Sequence, residues 1–114
     1  MRVENGLVYL KKRGKAEVTL CRADIVFLES SGHYITIHTE NYETYTIRST
    51  MKNVIDKLDK EHFMRIHRGI ILNLDYVSQV NSFDVTLNSV WKSVPLSRRC
   101  KQELKDTVEQ KSVQ

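Results

Sequence analysis

A chain of 114 residues is long enough to bury one hydrophobic core without disulfides or metals. Its 18 Lys and Arg against 14 Asp and Glu leave a net charge of +4, which admits a polyanionic partner without demanding one. Two cysteines, Cys21 and Cys100, are too far apart for a CxxC site and too few for a disulfide framework. No apolar run approaches the length of a membrane span, and the order Leu7-Val8-Tyr9-Leu10 then Lys11-Lys12-Arg13 reverses that of a signal peptide. A cytoplasmic protein without membrane contact is expected.

Along the chain, Leu7 to Lys11 and Glu17 to Cys21 form a hairpin across a basic turn. Ile25 to Glu29 is apolar on both faces, which predicts a central, buried strand. After the turn Ser30-Ser31-Gly32-His33, the segments Tyr34 to Thr39 and Tyr42 to Ile47 alternate β-branched and polar residues, giving a hairpin around Glu40-Asn41. Ser49 or Thr50 then caps a short helix with Met51, Val54, Ile55 and Leu58 on its apolar side.

Strands return at Phe63 to His67, Ile70 to Leu72 and Tyr76 to Val80. The alternation around Phe83, Val85 and Leu87 and the run Val90 to Leu96 form a hairpin over Asn88-Ser89, with Pro95 suited to an edge or strand end. Ser97 is expected to cap a C-terminal helix carrying Leu104 and Val108. The sum is a mostly β domain of about eight to ten short, mainly antiparallel strands in small packed sheets with two short helices. Residues 1–6 are read as an N-terminal extension, 7–110 as the domain and 111–114 as a frayed tail.

Four histidines invite a metal site, but His33 and His38 are an odd number of residues apart, as are His62 and His67. On a strand each pair therefore faces opposite sides. With no HExxH, no paired carboxylates and no Gly-rich phosphate loop, neither catalysis nor a cofactor is expected. Basic residues instead gather at predicted turns: Lys11-Lys12-Arg13-Lys15, His33, Arg65 with His67-Arg68, and Arg98-Arg99-Lys101. Three binding classes fit such turns: a duplex DNA reader, a β protein–protein module with solvated basic loops, or a single-strand binder. The last requires exposed aromatics among its cations, whereas Tyr34, Tyr42 and Trp91 are expected to pack in the core or on the sheet.

The stretch Phe63-Met64-Arg65-Ile66-His67-Arg68-Gly69-Ile70-Ile71-Leu72-Asn73-Leu74-Asp75-Tyr76-Val77 resembles the signature of the LytTR DNA-binding domain family. The resemblance extends upstream through Ile25 to Tyr34 and Thr46 to Met51, and downstream through Val94-Pro95-Leu96-Ser97-Arg98-Arg99, in order from about Leu7 to Leu104. It implies the output module of a bacterial transcription regulator, usually attached to a receiver domain in a two-component system. It implies paired repeat sites on double-stranded DNA and loops entering successive major grooves. With no long apolar surface stripe to advertise a dimer interface, the chain is expected to be a monomer that pairs only on DNA.

The family's base-reading positions fall on His33, Arg68 and Arg98. Phosphate contacts are expected from Lys12, Arg13, Lys15, Arg48, Lys52, Arg65 and Arg99. This sequence departs from the family at Gly69-Ile70, where Ser and an aromatic are common. Any hydroxyl contact to phosphate from that position is lost, and a Gly69 backbone N–H is the group able to replace it. His67 is expected to face inward and bond to backbone.

Overall fold

Five strands form the middle of the molecule: β4 (Ile25–Ser31), β5 (Tyr34–Thr39), β6 (Thr44–Arg48), β7 (Phe63–His67) and β8 (Ile70–Asn73). They run antiparallel in the order β6-β5-β4-β8-β7. The computed structural model describes residues 1–11, 14 and 16–112.

The β4 run that is apolar on both faces owes its pattern to a bulge. Ile25 pairs Thr39 and Phe27 pairs His38, so Val26 is the extra residue. A bulge lets two successive side chains share a face. Val26 and Phe27 accordingly join one core cluster, while Ile25 and Leu28 join the other. A second irregularity, between Arg65 and His67 on β7, sits at Ile66 in the same way.

One face of the middle sheet is covered by β1 (Arg2–Glu4), β2 (Leu7–Leu10) and β3 (Val18–Cys21), and by helix α1 (Met51–Lys57). There Val8, Leu10, Leu28, Ile37, Val54 and Phe63 close a core. The other face is covered by β9 (Val77–Val80), β10 (Asp84–Leu87), β11 (Ser93–Pro95) and α2 (Lys101–Ser112), burying Val26, Ile66, Leu72, Val85 and Leu104. The mostly β reading holds: among the described residues eleven strands lie in three antiparallel sheets, with two α-helices.

Thr50 caps α1, its hydroxyl accepting from the Asn53 N–H at 3.1 Å. At α2 the expected cap is replaced: Ser97 makes no side-chain cap bond, and a 3₁₀ turn (Arg98–Cys100) precedes the helix proper. At the N-terminus, Arg2–Glu4 pair with Leu7–Tyr9, and Met1 and Val3 pack on the core.

Two expected strand starts are loops instead. Tyr42 has φ 69° in a turn where the Thr39 hydroxyl lies 2.8 Å from both Asn41 Oδ1 and the Glu43 carbonyl. Val90 and Trp91 belong to a loop closed by Leu87 N–H to Lys92 carbonyl, with Lys92 at φ 67°. Trp91 packs as expected, turning back so that its Nε1–H donates to the Thr39 carbonyl.

His38 stacks on Phe27 at 4.2 Å and meets the edge of Trp91 at 4.7 Å. Its Nε2 lies 3.2 Å from Glu29, and its Nδ1 is buried without a partner among the described residues. Burial holds its pKa below the ordinary 6.5, and Glu29 only partly opposes this. Below that ordinary value the unfolded chain takes up a proton that the folded chain resists, so this contribution to stability is present above 6.5 and lost as pH falls through the folded value. Melting temperature should therefore drop between about pH 7 and pH 5, and His38→Phe should flatten the drop. An equal slope in both proteins would refute this role for His38.

Candidate nucleic-acid interface

Antiparallel order carries the β4–β5 turn and the β7–β8 turn to one end of the middle sheet. Gly32, at φ 59°, supplies the left-handed residue of a two-residue turn with His33, which suits the twist of the flanking strands. The Arg68-Gly69 turn has no left-handed residue and is braced by side chains instead. Arg65 Nη2 donates to the Arg68 carbonyl at 2.6 Å, and the Gly69 N–H donates to His67 Nδ1 at 3.1 Å. His67 is bonded to backbone, as expected, but it is only half-buried instead of turned into the core. The expected Gly69 N–H contact to phosphate is corrected, because that donor is already engaged within the turn.

Backbone bonds fix the neighbouring segments in a row. The Ser49 N–H donates to His33, that of Ser30 to Gly69, and that of Ser97 to Ile66, at 3.2, 3.0 and 2.9 Å. The start of α1, the His33 turn, the Arg68 turn and the 3₁₀ turn therefore form one rigid edge. A groove of about 550 Å³ along it is lined by His33, Arg48, Lys52, Arg65 and Arg68. An adjoining groove of about 610 Å³ is lined by Arg65, His67, Arg68 and Arg99, with Glu103 as its acidic residue.

Arg98 is exposed on the 3₁₀ turn but lines neither groove. Lys12, Arg13 and Lys15 lie outside the described residues.

The cations of this edge form no ion pairs among the described residues. Elsewhere, Arg2 pairs with Glu4 and Glu17, and Arg22 pairs with Asp59 at 3.3 Å. Burial alone would raise the Asp59 pKa, but the His62 and Arg22 contacts outweigh it and hold the carboxyl low. Among the described residues the side chains of Arg48, Lys52, Arg68, Arg98 and Arg99 have no acidic partner. Unpaired cations on rigid turns are suited to an external anion.

Residue patterns missed some of the lining. Ser30, Ser49 and Asn53 add hydroxyl and amide groups to the first groove; only the predicted turn at Ser30 and the predicted helix start at Ser49, beside the cations, hinted at it. Tyr34 and Tyr42, expected to pack, are 50% and 59% exposed.

The model of the LytTr DNA-binding domain family matches residues 15–109. The sensory transduction protein LytT of Bacillus anthracis is 34% identical over 86 residues, 72% of this chain and 35% of that protein. The heme-containing CO-sensing transcriptional regulator RcoM 2 of Paraburkholderia xenovorans is 31% identical over 104 residues, 87% of this chain and 38% of that protein. This chain thus spans under two-fifths of those relatives. In fold it is similar to the LytTr DNA-binding domain of a Bacillus cereus response regulator, with a TM-score of 0.73, 18% identity, and coverage of 92% of this chain and 98% of that one. With a family model matched over residues 15–109 and relatives above 30% identity along most of its length, the chain belongs to the LytTr DNA-binding domain family.

Proposed function

We propose that this chain binds double-stranded DNA in a sequence-dependent way, as the output module of a bacterial transcription regulator, and catalyses no reaction. The observation that carries the proposal is the row of unpaired cations on braced turns along one edge. His33, Arg68 and Arg98 read base edges: an Arg fork matches the two guanine acceptors, and a His N–H can donate to one acceptor. Arg48, Lys52, Arg65 and Arg99, with Lys12, Arg13 and Lys15, neutralise phosphates and set the register. Arg65 keeps donors for this beyond the one bonded to the Arg68 carbonyl.

The His33 and Arg68 turns stand roughly two strand spacings, about 10 Å, apart, which suits a major groove about 12 Å wide. The Arg98 turn is assigned the neighbouring major groove. A receiver domain belongs to the remainder of the full-length regulator, and paired repeats bring together two copies that are monomers when free. The site of action is the cytoplasm; among the described residues no helix is long and apolar enough to cross a membrane.

Fluorescence anisotropy with a labelled duplex and its single strand tests this reading. Duplex should be preferred, and the log of the association constant should fall with log salt by about 0.9 for each phosphate contact. Affinity that stays flat across salt, or a preference for the single strand, would overturn it.

A further inference from the structure

Tyr34 opens β5 at the basic edge, paired across the sheet with Ser31 on β4 and Arg48 on β6. Of the five tyrosines, three have their hydroxyls engaged inside the chain. Tyr42 donates to the Val90 carbonyl, Tyr45 to Glu43 and Tyr76 to the Ala23 carbonyl. Tyr9 has its ring under the Arg2 guanidinium at 4.2 Å. Tyr34 alone of the five has neither a ring contact nor a hydroxyl partner among the described residues, and half of it lies in water.

The fold therefore gains little from this ring. Its neighbours Ile35 and Ile37 are buried on the opposite side of the strand, so the alternation of β5 turns Tyr34 away from that core. Its backbone is held in the ladder on both sides, and the Ser49–His33 bond secures the turn just before it. With the backbone so fixed, only the two side-chain torsions remain to be ordered on binding. The surroundings favour an anion: His33 precedes it and the unpaired Arg48 stands across from it.

Resting on the duplex-binding reading above, we propose that Tyr34 is a further DNA contact, its phenol hydroxyl donating to a backbone phosphate oxygen that Arg48 also engages. A neutral donor of this kind strengthens binding by a charge-assisted hydrogen bond. It displaces no counterion, so its signature differs from that of an Arg or Lys. The contact is to the backbone and therefore carries no base preference.

The test compares wild type, Tyr34→Phe, Arg48→Ala and the double variant, on a duplex selected by the wild-type protein from a randomised pool and on a random duplex. Tyr34→Phe should weaken binding about tenfold on both duplexes. Its salt slope and melting temperature should match wild type, since the hydroxyl has no internal partner to lose. Arg48→Ala should lower the slope by about one. In the double variant the two losses should fall short of additive, because both groups engage one phosphate.

Wild-type affinity in Tyr34→Phe would overturn the proposal while leaving the duplex reading intact. So would a loss confined to the selected duplex, or full additivity with Arg48→Ala. Failure of the wild-type protein to bind any duplex would instead overturn the parent reading, and this proposal with it.

Discussion

Replacing Asn73 by alanine is expected to destabilise the protein by about 2–4 kcal/mol: about 1–3 kcal/mol for the Ile25 carbonyl left buried and unpaired, and about 0.5–1.5 kcal/mol for the lost bond to the part-buried Asp75 N–H. Asn73 is 1% exposed and sits where β8 ends. Its Nδ2 donates to the Ile25 carbonyl at 2.8 Å, and its Oδ1 accepts from the Asp75 N–H at 3.0 Å. The side chain thus ties the start of β4 to the end of β8, two strands that pair in the middle of the sheet. For a domain of this size such a loss lowers the melting temperature by about 10 °C or more.

Aspartate should not rescue the position, because an ionised carboxylate cannot donate to the Ile25 carbonyl. Urea unfolding of wild type, Asn73→Ala and Asn73→Asp checks this: both midpoints should fall with the slope unchanged. A shift within about 0.5 kcal/mol, the range of an ordinary surface substitution, would show that the link is dispensable. Asn73 lies at the end of β8 remote from the Arg68 turn, so the folded variant should bind duplex with wild-type affinity.

Much of this architecture was legible because local chemistry and tertiary packing agree. The apolar runs of β4 and β8, the alternation of β5 and the Thr50 cap with Met51 and Val54 behind it all give one answer at both levels. The parts that were not legible depend on partners distant in sequence. Nothing near Trp91 says that its indole N–H will find the Thr39 carbonyl, yet that bond keeps the segment out of β11. Tyr42 carries a side chain that normally avoids positive φ, but its contacts with Val90 and Trp91 hold it there. Arg2–Glu4 offer one apolar residue, too little to signal a strand until Leu7–Tyr9 is seen to pair with them.

The site follows the same division. Which turns carry cations was readable, as was the family resemblance that assigns roles to His33, Arg68 and Arg98. That the Ser30–Gly69 and Ser97–Ile66 bonds would lock those turns side by side was not. Nor was the engagement of the Gly69 N–H by His67, a short-range bond that depends on how the turn is built. In the sequence, Tyr34 reads as an aromatic packed on the sheet. The layer over that side of the sheet reaches His38 through Trp91 but leaves Tyr34 open.

The central claim is that this edge separates base reading from phosphate holding, and Arg68 and Lys52 divide the two roles. Both side chains are exposed, line the same groove and have no internal partner among the described residues. Neither truncation should therefore unfold the chain, and the melting temperatures should stay near wild type. The decisive measurement is the affinity of Arg68→Ala and Lys52→Ala for the selected duplex and for a random one, at several salt concentrations. Arg68→Ala should lose roughly 1–3 kcal/mol on the selected duplex and little on random DNA, so specificity collapses. Lys52→Ala should weaken both duplexes alike and reduce the salt slope by about one, leaving the ratio intact. If Arg68→Ala stays folded but loses affinity equally on both duplexes, Arg68 is a backbone clamp and the account of base reading at this edge is contradicted.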